Sequence, residues 1–280
     1  MIKEKYIHLC KTAADNQSAI DRLYEIVKVL RVECPWDRVQ THESLRPGML
    51  EEAYETVDAI NNQDMVNLRV QLGDVRLEVV FHSILGEEVS NFDLKDVINE
   101  ECEKMIRRHP HVFLQENTNN TPKSIDKVLE KWENIKEKER GETKTASRLA
   151  KVPRALPALT RADKVQKKAA DVGFDWDDVS GAFDKVHEET RELTECCKAE
   201  TVDKKALEEE LGDLLFSVVN VSRFLGIDPE ASLDYTIDKF IRRFTHIEDS
   251  ALACGKALED MSLSEMDELW NEAKKSERSV

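Results

Sequence analysis

The chain has 280 residues, 40% of them apolar and 35% charged, and a net charge of −16 at pH 7. That length suits one large domain or two small ones, and the apolar fraction is enough to build a core. The acidic balance and scarcity of aromatics argue against nucleic-acid polymers, membrane surfaces and β-sandwiches; a small anionic substrate stays open, because a bound cation reverses the local sign.

Ile20, Leu23, Tyr24, Val27 and Leu30 recur at helical spacing, which predicts a helix over about 18–31. Pro35 ends it and leaves Trp36 in a loop. A helix over about 45–61 carries Glu51, Glu52 and Glu55. Asn61 to Asp64 read as a turn and cap before a long apolar helix over about 64–88. Another helix spans about 93–108 and ends at His109-Pro110. Turn-rich residues 115–124 predict a loop, a charged helix bearing Trp132 follows over about 124–139, and 140–153 read as a linker.

The pattern then restarts. Helices are expected at about 161–171, 178–200, 203–225, 229–253 and 262–276, with a loop from Val172 to Asp177 that carries Trp176. No strand pair is legible. The expected fold is all-α: two tandem helical bundles, 1–139 and 154–280, joined by the linker 140–153. The six cysteines form no C-x-x-C pair, no segment suits a bilayer span, and no signal-peptide run opens the chain. These features predict a reduced, cytoplasmic protein whose thiols are mostly buried as small hydrophobes.

The two halves repeat one order of motifs. Trp36, Glu51-Glu52-x-x-Glu55, Leu72-Gly73-Asp74 and Lys104-x-x-Arg107-Arg108 recur as Trp176, Glu188-Glu189-x-x-Glu192, Leu211-Gly212-Asp213 and Lys239-x-x-Arg242-Arg243. Glu189 and Glu192 are three apart and share a helix face, as do Glu210 and Asp213 on the next helix. If those helices pack antiparallel, four carboxylates converge, an arrangement that repulsion forbids unless cations lie between them. A lone Glu-rich stretch is ordinarily a solvated face. Here the Glu210/Asp213 pair lies in an otherwise apolar helix, flanking its expected core face, and the constellation occurs twice.

In the first copy Gln71 stands where the second has Glu210, and Arg76 where it has Leu215. An amide is a weaker Mg²⁺ ligand than a carboxylate. The copy holding Glu51, Glu52, Glu55, Gln71 and Asp74 is therefore expected to be degenerate. Lys239 and Arg243 are four apart, which suits either a surface charge pair or a phosphate clamp beside a metal. Lys185, one turn before Glu188, is a third cation for the same task. Trp176 and Trp270 read as packing aromatics or as walls of a base pocket. No E-x-x-H pattern supports a di-iron bundle, and no Gly-rich phosphate loop is present.

With Cys34-Pro-Trp-Asp37, Leu50-Glu-Glu-Ala-Tyr-Glu55, Leu72-Gly-Asp74, Arg107-Arg-His-Pro-His-Val-Phe113, Val172-Gly-Phe-Asp-Trp176, Glu188-Glu-x-x-Glu192, Glu209-Glu-Leu-Gly-Asp213 and Lys239-Phe-x-Arg-Arg243, the chain resembles the two-domain form of the MazG nucleoside triphosphate pyrophosphohydrolases. The resemblance implies hydrolysis of a nucleoside triphosphate to the monophosphate and pyrophosphate, with Mg²⁺ or, in its place, Mn²⁺. It implies metal ligands at Glu189, Glu192, Glu210 and Asp213 with Glu209 close by, and nucleotide contacts from Lys185, Glu188, Lys239, Arg243 and Trp270. It also implies an entwined homodimer and a second domain that does most of the work. The alternative is a non-enzymatic helical dimer that binds nucleotides or a partner protein as a regulator.

Overall fold

A computed structural model describes residues 3–113, 149–199, 201 and 203–277, together with Ser124, Ile125, Lys127, Val128, Lys131, Trp132, Ile135 and Glu139. Nearly all of the expected loop at 115–124 and most of the linker lie outside these residues. The chain divides into two compact units, Met1–Glu139 and Arg140–Val280. Among the described residues there are helices and turns and no strand, so the fold is all-α.

In the first unit, α1 (Asn16–Glu33), α2 (His42–Asn61), α3 (Met65–Glu88) and α4 (Leu94–Arg108) are followed by the single turn α5 (Pro110–Phe113). In the second, α6 (Ala158–Ala170), α7 (Val179–Lys198), α8 (Lys204–Phe224), α9 (Pro229–Ala253) and α10 (Leu263–Glu277) follow one another. Aspartates start most of these helices. Asp15, Asp64, Asp93, Asp178, Asp203 and Asp228 each accept a hydrogen bond from a backbone N–H of the following first turn, satisfying donors that have no helical partner. At α9 Pro229 follows the cap at a position where its missing N–H costs nothing. Two helices begin a turn earlier than their apolar spacing suggests. Thr41 and Ser44 cap α2 reciprocally, and Thr160 of α6 is held by the Glu230 carboxylate at 3.1 Å.

Each unit is built on an antiparallel helix pair. In the first, α2 packs along α3, and the core gathers Val27 of α1, Leu45 of α2 and Val80, Phe81, Ile84 and Leu85 of α3. In the second, α7 packs along α8, with α6 against α8 and α9, and α10 against α9. Here two expectations fail. Within the chain, the apolar side of α8 is largely uncovered: Val219 is buried, but Leu211, Leu215, Phe216 and Val218 are exposed. The cysteines are not buried either. Cys10, Cys102, Cys197 and Cys254 are exposed, and Cys34 and Cys196 are only partly covered. Several sit at helix ends, as Cys254 does at the C-cap of α9.

Candidate metal centre

The α7–α8 pair brings the acidic motifs together. α7 ends at Lys198, α8 begins at Lys204 and the two pack along each other, so residues equally far from those two ends face each other. Glu189 and Glu192 of α7 thereby meet Glu210 and Asp213 of α8. Among the described residues, two groups of three carboxylates have oxygens within 4.8 Å of one another, and both lie here: Glu188–Glu189–Glu192 and Glu189–Glu210–Asp213. Glu189 belongs to both and is 3% exposed. Glu209 is exposed and belongs to neither.

The electrostatics are those of an anion cluster short of positive charge. Burial, then repulsion from Glu192, Glu189, Asp213 and Glu209, pushes the Glu210 carboxyl above its ordinary range. Its Oε2 is buried and has no hydrogen-bond partner. Among the described residues the cation in contact is Lys185, one turn back on α7. It pairs with Glu188 at 3.2 Å and more closely with Glu189, and both bonds raise its pKa. Every candidate donor is a carboxylate oxygen, the set that suits a hard divalent cation of the Mg²⁺ or Mn²⁺ kind.

Lys239, Arg243 and Trp270 lie on α9 and α10, and among the described residues no hydrogen bond or ion pair joins them to the carboxylates. Arg243 pairs with Glu277 at 2.7 Å and lies over the Trp270 ring at 5.4 Å, and Trp270 packs against Phe240. Lys239 lies over the Tyr235 ring at 5.7 Å. On α9, Tyr235, Ile237, Phe240 and Ile241 are exposed.

The first unit sets Glu51, Glu52, Glu55, Gln71 and Asp74 on the matching pair α2–α3, and the chemistry differs. The Gln71 amide donates to Glu55 Oε2 at 2.8 Å, while its own buried Oε1 has no partner. Burial, with Asp74, Glu55 and Glu51, raises the Glu52 carboxyl. A further substitution escapes a reading of the motifs alone. Three residues before Glu51 stands Gly48, at the place Lys185 holds before Glu188. Beside Gly48 lies the carboxylate of Glu78, 3.1 Å from where a Cβ would sit. Burial and the Glu52 charge raise Glu78 as well. The register of the repeat held this signal: extending the alignment by one helical turn shows the lost lysine.

The MazG nucleotide pyrophosphohydrolase domain matches this chain twice, over residues 40–113 and 181–247. The nucleoside triphosphate pyrophosphohydrolase of Escherichia coli (strain K12) is 42% identical over 261 residues, covering 92% of this chain and 98% of that protein. The nucleoside triphosphate pyrophosphohydrolase/pyrophosphatase MazG of Thermotoga maritima is 42% identical over 256 residues, covering 91% and 95%. The uncharacterized protein YabN of Bacillus subtilis (strain 168) is 48% identical over 245 residues, covering 88% of this chain and 49% of that one.

Proposed function

Because this chain belongs to the MazG nucleotide pyrophosphohydrolase family, we infer that it hydrolyses nucleoside triphosphates to the nucleoside monophosphate and pyrophosphate. The observation that carries this reading is the convergence of Glu188, Glu189, Glu192, Glu210 and Asp213 in the second unit, with a buried carboxylate oxygen left unpartnered. We assign Glu189, Glu192, Glu210 and Asp213 as ligands of Mg²⁺, with Mn²⁺ as a substitute and Glu209 at the margin. Bound there, a divalent cation supplies charge to the phosphate oxygens and acidifies a water.

The remaining work falls to the chain's own side chains. Glu188 or Glu192 orients the attacking water and takes its proton. Lys185 exchanges its pairing with Glu188 and Glu189 for phosphate oxygens. Lys239 and Arg243 neutralise the leaving pyrophosphate, and Trp270 contacts the nucleoside. We propose that those last three reach the carboxylates of a second copy of the chain. The exposed apolar residues of α8 and α9 support such a homodimer, since a patch of that kind is buried at an interface. The first unit, with Gln71 for Glu210 and Gly48 for Lys185, is the degenerate copy. Control of cytoplasmic nucleotide pools is the role this chemistry suits.

The test is incubation of the full chain with each common nucleoside triphosphate and Mg²⁺, resolving the products. Monophosphate plus pyrophosphate is the expected result. Diphosphate plus phosphate would place the cut at the wrong bond and sink the reading.

A further inference from the structure

Arg243 of α9 is held from two sides by α10. Its Nε and Nη2 donate to a single oxygen of Glu277, Oε2, at 2.9 and 2.7 Å. Its guanidinium carbon lies 5.4 Å from the centre of the Trp270 ring, and Phe240 packs on that ring at 5.1 Å. Trp270 and Glu277 are seven residues apart, so two helical turns place them on one face of α10. The Arg243 side chain is only 14% exposed as a result, with the carboxylate along one edge and the indole beside it. The first unit repeats the pair. Arg107 donates to Glu139 at 3.1 Å, Arg108 donates to it at 3.0 and 2.8 Å, and Trp132 stands seven residues before Glu139. The arrangement therefore belongs to the duplicated unit and is not an accident of the last helix.

Stability does not account for the pair, since an ion pair with its carboxylate at the surface adds little. The edge it leaves open points to another role. Glu277 takes the Nε edge of the guanidinium, and among the described residues Nη1 bonds nothing. That second edge is the one left for a two-pronged bond to a phosphate. A long side chain loses rotamer freedom when it grips an anion, and one already fixed loses less. The charge balance permits this. Arg243, then Arg242 and Lys239, hold the Glu277 carboxyl below its ordinary range, and one carboxylate cannot neutralise three cations.

We propose that Glu277 is a positioning residue, holding the Nε edge of Arg243 so that the Nη1 edge meets the departing pyrophosphate. This rests on the reading that Arg243 neutralises that pyrophosphate. A carboxylate that merely competed with substrate would occupy the edge a phosphate needs. Glu277 bonds the other one, so it supports the clamp and does not block it.

The test is the affinity of the full chain for inorganic pyrophosphate with Mg²⁺, measured by titration calorimetry, which needs no turnover. Arg243→Ala and Glu277→Ala should each weaken it about tenfold, the size of one charge-assisted hydrogen bond. Glu277→Gln keeps an acceptor for both N–H groups and should recover the affinity to within about threefold. In the Arg243→Ala background, Glu277→Ala should change nothing further, because Glu277 acts only through Arg243. The kcat/KM for the preferred triphosphate should fall in the same order. Should pyrophosphate show this pattern while no triphosphate is cleaved, the activity reading fails and the positioning role stands. Unchanged or tighter pyrophosphate binding by Glu277→Ala overturns the proposal. So does a second loss of the same size in the double variant, or an Arg243→Ala chain that binds as well as the original.

Discussion

At Glu210 one side chain reports the state of the whole site. Its carboxyl is raised by burial and by four neighbouring carboxylates. A carboxyl raised on folding favours the folded chain while it is protonated. That contribution fades as pH climbs from the ordinary value of about 4.5 through the raised one. In metal-free buffer the melting temperature should therefore fall over this rise in pH. Glu210→Gln should flatten the fall, and Mg²⁺ should reverse it. An unchanged slope in the variant would mean that Glu210 is not the strained group. Turnover divides the two copies at the same scale. Glu192→Ala or Asp213→Ala should cut pyrophosphate release on the order of a hundredfold or more, whereas Glu55→Ala should leave it nearly untouched. Gln71→Glu alone should not awaken the first unit, since Gly48 still leaves it without the lysine; activity gained in an Asp213→Ala background would refute that.

The helix pairs succeed or fail by how closely neighbours approach them. Within α3, a Cβ at Gly86 would lie 2.7 Å from the Phe92 ring, whereas one at Gly73 meets nothing within 4 Å. Gly86→Ala should thus destabilise the first unit by about 1–3 kcal/mol through overpacking. Gly73→Ala should be neutral or stabilise it by about 0.5–1 kcal/mol through helix propensity. Thermal or urea unfolding of the two variants checks the contrast, and equal shifts would show that Phe92 moves aside. Helix boundaries were the most legible feature at this scale. Among the described residues periodicity located every long helix, and aspartate caps fixed most starts. The early starts of α2 and α6 were harder to read, because they depend on the Thr41–Ser44 cap and on Glu230, seventy residues from Thr160.

For the molecule as a whole, uncovered apolar surface is the main unsettled balance. Leu211, Leu215, Phe216 and Val218 on α8 and Phe240 and Ile241 on α9 face outward in the chain alone. If a second copy covers them, Leu215→Asp and Ile241→Asp should each shift the species seen by sedimentation from dimer toward monomer. Turnover should fall with dimerisation while helical content by circular dichroism is retained. A dimer unaffected by either change would put the interface elsewhere.

The amino-acid pattern alone determined the all-α class, the duplication, the acidic motifs and the inequality of the two copies. Each of these rests on spacing along a helix or on a match between two stretches of the same chain, and both are local properties. Only the tertiary structure decided which carboxylates share space, that Glu189 joins both groups while Glu209 joins neither, and that Lys185 pairs with them. It also decided that α8 keeps an open apolar face and that Glu277 holds the Arg243 guanidinium. Those facts depend on which residues from distant positions exclude water together, and no periodicity records that. The four carboxylates can be read from the sequence, but their convergence, with Glu189 buried among them, comes from the packing of α7 on α8.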